Sequence, residues 1–105
     1  MTTPDTPHAI TLDSIVVASK DQVASDLAGE VILLSLTTAM YYGLNQVGAR
    51  VWELVREPAR VADVRDVIAR EYDVEVQQAE RDLLELLRQL AGAGLIEVRD
   101  GHPGG

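Results

Sequence analysis

The stretch EVILLSLTTAMYYGLNQVGARVWELV, residues 30–55, contains the strongest strand signal in the chain and a transition from strand to helix. Two apolar runs, EVILLSL and MYYGL, flank the short polar segment TTA, which is the pattern of a β-hairpin. Asn45 can then cap a helix, because its side-chain oxygen can accept a hydrogen bond from a free amide of the first turn. Apolar residues recur at helical spacing after it, at Val47, Val51, Leu54 and Val55.

The segments on either side of this stretch complete a predicted α+β domain. Upstream, SIVVAS and DQVASDLAG have the composition of strands that would join the hairpin in one sheet. Downstream, a second helix has apolar positions at Val61, Val64, Ile68 and Tyr72. A third helix has a wide apolar stripe at Val76, Ala79, Leu83, Leu86, Leu87 and Leu90, and LIEV follows as a last strand. We therefore predict a small three-stranded antiparallel sheet followed by a three-helix winged helix-turn-helix-like unit.

Length and composition agree with one small domain. The chain has 105 residues, of which 47% are hydrophobic, and we expect a single domain over residues 12–99. Residues 1–11 are predicted to form a flexible N-terminal arm, and residues 100–105 a flexible tail. No apolar run approaches the roughly 20 residues that span a bilayer, and the N-terminus lacks the features of a secretion signal. We expect no membrane partner and a cytoplasmic protein.

The sequence offers little for catalysis or for binding a metal or cofactor. Cysteine is absent, and both histidines, His8 and His102, lie in the predicted terminal segments. The acidic cluster Glu71, Asp73 and Glu75 could bind a hard cation, but it lacks the glycine and ligand spacing of a calcium loop. A solvated turn is the simpler interpretation. We predict a protein without catalytic residues, metal or cofactor.

The strand MYYGL suggests a binding function instead. If it ends the sheet, its backbone is unpaired on one side, and an extended peptide could pair with it. Met40, Tyr42 and Leu44 would then face one side of the sheet, and Tyr41 and Gly43 the other. The apolar stripe of the third helix could form a second wall, with Asp82 beside it to meet a cation or an amide. Alternatively, the tyrosines complete the core and Asp82 is solvated.

A winged-helix order also suggests nucleic-acid binding, but the charges disfavour it. The net charge is −8, and phosphate backbones require clustered cations. The predicted exposed residues of the third helix are Gln77, Gln78, Arg81, Glu85 and Arg88, and only the two arginines among them are cationic. We expect no nucleic-acid partner, and an acidic winged-helix regulator of nucleic acid or another protein is the alternative hypothesis.

The segment YYGLNQVGARVWELV resembles the signature of PqqD-like proteins, also called RiPP recognition elements, where RiPP denotes a ribosomally synthesised and modified peptide. Shared features are an aromatic strand, Leu-Asn, a glycine in the first helix and an apolar-Trp pair. REYDV and AERDLLELLRQLAGAGLIEV extend the resemblance over residues 30–98. The chain differs from the family pattern in two places. At the start of the third helix it has Glu75-Val76, where the family often has Asp-Pro or Ser-Pro. At the start of the second helix it has Ala59-Arg60, where the family usually has a threonine.

The resemblance implies a non-catalytic adaptor that binds the leader segment of a precursor peptide as a strand beside the third strand of the sheet. It implies a pairing strand of Met40, Tyr41 and Tyr42, and a helix wall of Asp82, Leu83, Leu86 and Gln89. Core positions would be Leu44, Val51, Leu87 and Leu90. The extended N-terminal strands and TTAMYYGLN resemble lasso-peptide members more than quinone-pathway members. The implied partners are then a separate leader peptidase of the Cys-protease type and a macrolactam synthetase acting afterwards.

Overall fold

The computed structural model describes residues 10–27 and 30–99, and these residues form an α+β fold, as predicted. Three helices are present in this part of the chain: α1 (Gln46–Val55), α2 (Val61–Glu71) and α3 (Val76–Gly92). The strands are β1 (Ile15–Ala18), β2 (Gln22–Leu27), β3 (Glu30–Ser35), β4 (Tyr41–Leu44), β5 (Ala59–Arg60) and β6 (Ile96–Arg99).

The predicted hairpin forms one antiparallel sheet with the strand order β2-β3-β4. Its register pairs Leu33 with Tyr42, and the amide of Ser35 donates to the carbonyl oxygen of Met40 over 2.8 Å. Strand β4 begins at Tyr41, so Met40 closes the turn and does not belong to the strand. Within the described residues β4 pairs only with β3, which leaves it at the edge of the sheet, as predicted.

The prediction that SIVVAS joins this sheet was wrong. Strand β1 is the central strand of a second antiparallel sheet with the order β5-β1-β6, in which Val16 pairs with Ala59 and with Val98. Val16 is completely buried there. A β-branched run indicates a strand but does not specify its partner, because pairing depends on packing against residues distant in sequence. LIEV does form the predicted last strand, β6, apart from its first residue, Leu95. The winged helix-turn-helix comparison stays a prediction.

The core lies between the two sheets and the buried faces of the helices. The four predicted core positions, Leu44, Val51, Leu87 and Leu90, are all buried. Val76 was placed in the apolar stripe of α3, but it is largely exposed because it is the first residue of the helix. Ile10 is buried in the core, so the predicted domain boundary at residue 12 falls inside packed structure. The rest of the predicted arm and the predicted tail lie outside the described residues.

The ends of the helices follow their local sequences. Asn45 caps α1 as predicted, since its Oδ1 accepts a hydrogen bond from the amide of Gly48 over 2.9 Å. Arg60 and Glu75, which precede α2 and α3, make no side-chain capping hydrogen bond. Over the described ranges, no helix combines the length and the hydropathy needed to cross a membrane.

Candidate functional site

A cavity of about 500 Å³ opens between β4, α1 and α3, and we call it the β4–α3 groove. Its floor is apolar, because the buried side chains of Leu44, Val51 and Leu83 reach it from three different elements. Leu86 is half-buried and lines the α3 side. The remaining lining residues are Tyr42, Gly43, Asn45, Val47, Gly48, Ile68, Val74, Ala79, Asp82, Glu85 and Gln89.

The groove brings together most of the residues that the family resemblance implied for peptide binding. Tyr42 lines it from β4, and the four nominated residues of α3 line it from the other side: Asp82, Leu83, Leu86 and Gln89. The four recur at helical spacing on one face of α3, so the helical period places them along one wall. Leu83 is also part of the buried core, which fixes that wall against the rest of the domain.

Met40 and Tyr41 do not line the groove. The side chain of Tyr41 is 74% exposed and lies on the outer face of the sheet, because successive residues of a strand point to opposite faces. Tyr41 pairs with Leu34, and Leu34 pairs with Val23, so the three side chains form one row across β4, β3 and β2. Met40 is 52% exposed in the turn before β4. The two adjacent tyrosines therefore serve different surfaces.

Sequence reasoning missed several lining residues, of which Val47 and Glu85 are the most informative. Val47 was assigned to the apolar face of α1, but it is partly exposed and borders the groove. Glu85 was predicted to lie on the exposed face of the third helix. It lies three residues after Asp82 and four before Gln89, so the helical period alone could have placed it on the same wall. Both residues lie at the boundary between the buried and the exposed face of their helix, α1 for Val47 and α3 for Glu85.

Gly48 keeps the floor of the groove compact. A Cβ atom at position 48 would lie 3.2 Å from both Cβ and Cδ2 of Leu44, which is closer than ordinary van der Waals contact. The glycine therefore allows the first turn of α1 to pack directly on the last residue of β4. This close approach is the physical reason for a residue that is unfavourable inside a helix by roughly 1 kcal/mol relative to alanine.

The charged residues that line the groove are both acidic. Asp82 and Glu85 are exposed at the α3 side, and Oδ2 of Asp82 accepts a hydrogen bond from Nε2 of Gln78 over 3.0 Å. No arginine or lysine of the described residues belongs to the lining. The groove is therefore apolar at its base and negatively charged at one side.

The acidic residues near the α2–α3 joint do not form a metal site in the described part of the chain, where no group of three or more potential ligands is close enough to hold an ion. Glu71 instead pairs with Arg50, whose Nε and Nη2 donate to its two carboxylate oxygens over 2.8 and 2.9 Å. These hydrogen bonds lower the pKa of the Glu71 carboxyl and raise the pKa of the Arg50 guanidinium. His8 and His102 lie outside the described residues.

The geometry fits an extended peptide segment. Such a segment could pair with the open side of β4 through backbone hydrogen bonds, and alternate side chains would then enter the groove. The floor offers apolar contact, and the α3 side offers carboxylate oxygens and the amide of Gln89.

Comparison with known proteins gives two findings. The sequence model of the family described as "Coenzyme PQQ synthesis protein D (PqqD)" matches residues 30–96 of this chain. The solved structure "TbiB1 in Complex with the TbiA(beta) Leader Peptide" is similar, with 41% sequence identity and a TM-score of 0.71. The similarity covers 77% of this chain and 94% of TbiB1. No curated protein matches the chain.

Proposed function

This chain belongs to the PqqD family, and we propose that it is a non-catalytic adaptor that binds the leader peptide of a ribosomally synthesised precursor. The observation that carries the proposal is the β4–α3 groove beside the open edge of β4. The similarity to TbiB1, whose structure contains a leader peptide, supports the same ligand class here.

The leader adds to β4 as a further antiparallel or parallel strand. Its backbone pairs with the open side of Tyr41–Leu44, and every second side chain enters the groove against Leu86 and Tyr42. Met40, which precedes the strand, contributes to the turn that closes the hairpin and not to the groove. Backbone pairing supplies affinity that does not depend on the leader's side chains, whereas the groove supplies selectivity.

The chemistry of the groove favours one kind of leader. An apolar side chain fits the floor formed by Leu44, Val51 and Leu83. A lysine or arginine placed two residues away along the strand would meet Asp82 or Glu85, because alternate residues of a strand share a face. Asp82 and Glu85 would repel an acidic leader residue at that position, and no cation of the described residues lines the groove to offset this repulsion.

Delivery to a processing enzyme completes the proposed function. A leader peptidase of the Cys-protease type would act on the bound precursor, and a macrolactam synthetase would act afterwards, as in lasso-peptide pathways. Holding the leader raises the effective concentration of the attached precursor at the enzyme. The outer face of the β2-β3-β4 sheet supports a protein contact, because the large apolar side chains of Val23, Ile32 and Tyr41 are exposed there, and Leu36 and Met40 are exposed in the adjoining turn.

A titration tests the proposal. The fluorescently labelled probes are the leader segment of a short precursor encoded beside this gene and the TbiA(beta) leader peptide. We expect saturable binding to at least one probe, with weaker binding by Tyr42→Ala, and no change in the mass of the peptide after prolonged incubation. Absence of binding to both probes by a folded wild-type chain would overturn the adaptor function, and cleavage of the peptide would overturn its non-catalytic character.

A further inference from the structure

The two walls of the groove are linked at one end by the turn that joins β3 to β4. Strand β4 and helix α3 lie on opposite sides of an open cavity, so contacts at the ends of these two elements contribute to their separation. Thr38 lies in the turn, and its hydroxyl Oγ1 donates to the carbonyl oxygen of Ala93 over 3.2 Å. Ala93 is the C-cap residue of α3 and is buried. This hydrogen bond connects the strand wall to the end of the helix wall.

The turn itself is held in a defined conformation. The amide of Thr38 donates to Oγ of Ser35 over 3.2 Å, and Ser35 is completely buried. Ala39 has a φ of 62°, a left-handed conformation that is unfavourable for a residue with a Cβ. Its amide donates to the carbonyl oxygen of Ser35 over 2.9 Å. A non-glycine residue in this region persists only where the surrounding contacts impose it.

Gly94 brings the end of α3 close to the same turn. It has a φ of 76°, and a Cβ at this position would lie 3.5 Å from Oγ of Ser35 and 3.6 Å from Cγ2 of Thr38. The turn therefore meets the end of α3 through packing as well as through the hydrogen bond. We call these four residues, Ser35, Thr38, Ala93 and Gly94, the clasp.

The clasp is close to the binding surface at both of its ends. Thr38 precedes the groove residue Tyr42 by four positions, and Ala93 follows the groove residue Gln89 by one helical turn. The amide of Ala93 donates to the carbonyl oxygen of Gln89 over 3.0 Å. A displacement of the turn would therefore change the distance between Tyr42 and the face of α3 that lines the groove.

From this arrangement we infer that Thr38 is a positioning residue for leader binding, which fixes the separation of β4 and α3 through its hydrogen bond to Ala93. The inference rests on the proposed leader-binding function. The Thr38 hydroxyl already forms its hydrogen bond to Ala93 in the unbound chain, so the groove is pre-organised for the incoming strand. Pre-organisation improves affinity because less ordering is required on binding.

Two measurements on the same variants test this role. Thr38→Val removes the hydroxyl and retains the branched shape, whereas Thr38→Ser retains the hydroxyl. Thr37→Val is the control, because Thr37 makes no side-chain hydrogen bond within the described residues. The first measurement is leader-peptide affinity, with the probes named above, well below each variant's unfolding temperature. The second is the distance distribution between spin labels at Tyr41→Cys and Arg88→Cys, which are specific because the natural chain has no cysteine.

We expect Thr38→Val to broaden the distance distribution and to weaken leader binding by roughly three- to tenfold, because it removes the hydroxyl that donates to Ala93 and also accepts a hydrogen bond from the amide of Met40. Thr38→Ser and Thr37→Val should behave like the wild type in both measurements. An unchanged distribution in Thr38→Val would overturn the inference, and so would a broadened distribution with unchanged affinity. If the wild type binds no leader, the proposed function fails, while the distance distributions still decide whether Thr38 sets the separation.

Discussion

Arg50 of α1 and Glu71 of α2 form a bidentate ion pair, with nitrogen–oxygen distances of 2.8 and 2.9 Å. The pair joins the two helices that contribute Val51 and Ile68 to the base of the β4–α3 groove. Bidentate geometry makes such a pair more specific than a single surface contact. Both side chains remain partly exposed, so its contribution to stability is modest and sensitive to salt.

The Arg50–Glu71 pair predicts an acid-sensitive part of the stability. The folded state lowers the pKa of Glu71 below its ordinary value of 4.5, chiefly through the hydrogen bonds from Arg50. This stabilisation is fully present above pH 4.5 and is lost as the pH falls through the lower folded value. Urea unfolding between pH 7 and pH 3 should show Glu71→Gln less stable than the wild type at neutral pH, with a difference that shrinks in acid.

The control for the pH prediction is Glu57→Gln, which removes one exposed carboxylate that forms no ion pair within the described residues. It should follow the wild-type pH dependence. If the free energy of unfolding of Glu71→Gln also matches that of the wild type at every pH, the Arg50–Glu71 pair does not contribute to stability.

Leu86 should contribute directly to peptide affinity. Its side chain is half-buried and lines the groove, so a bound peptide would cover its remaining exposed area. Because burying a whole leucine side chain is worth roughly 1.5–3 kcal/mol, we expect Leu86→Ala to weaken leader binding by about tenfold. Fluorescence anisotropy with the labelled leader measures the change.

Leu84 provides the matched control for Leu86. It is also half-buried on α3, but it does not line the groove. Leu84→Ala should destabilise the fold to a similar extent. It should leave leader affinity within about twofold of the wild type, because the truncated side chain does not line the groove that would hold the leader. Equal losses of affinity in both variants would mean that destabilisation, and not contact with the peptide, explains the effect.

Asp82 should select a cationic leader residue. We expect Asp82→Asn to weaken binding of a leader that carries lysine or arginine by roughly two- to fivefold, the range of an exposed ion pair. The dependence of affinity on salt should also become shallower, because one screened charge interaction has been removed. Titrations at two salt concentrations measure both effects, with Glu57→Gln as a control for net charge. A variant with the wild-type salt dependence would argue against the contact.

Asn45 should stabilise α1 through its cap. Because replacing a capping residue by alanine costs about 1 kcal/mol, we expect Asn45→Ala to lower the free energy of unfolding by that amount. Asn45→Asp retains a side-chain acceptor for the amide of Gly48 and should stay close to the wild type. Urea denaturation distinguishes the two. A fully stable Asn45→Ala variant would show that the packing of Val51 and Val55, and not the cap, determines where the helix begins.

The local features of the fold were predictable from the sequence. The hairpin, the cap at Asn45 and the three helices follow from patterns within a few residues of each position, and the structure confirms them. The family resemblance nominated Tyr42 and Leu86 for the groove, and strand and helix periodicity indicated which side chains share their faces. Periodicity depends only on backbone geometry, so it can be recognised in a sequence before the tertiary structure is known.

The partners of each element were not predictable in the same way. The sequence assigned β1 to the hairpin sheet. The structure pairs β1 with β5 and β6, and connects Thr38 to Ala93. These relationships join residues far apart in the chain, and their energy depends on close packing and burial that exist only after folding. Local sequence patterns specify the elements and the faces they present, whereas tertiary packing specifies which faces meet and which border the open groove.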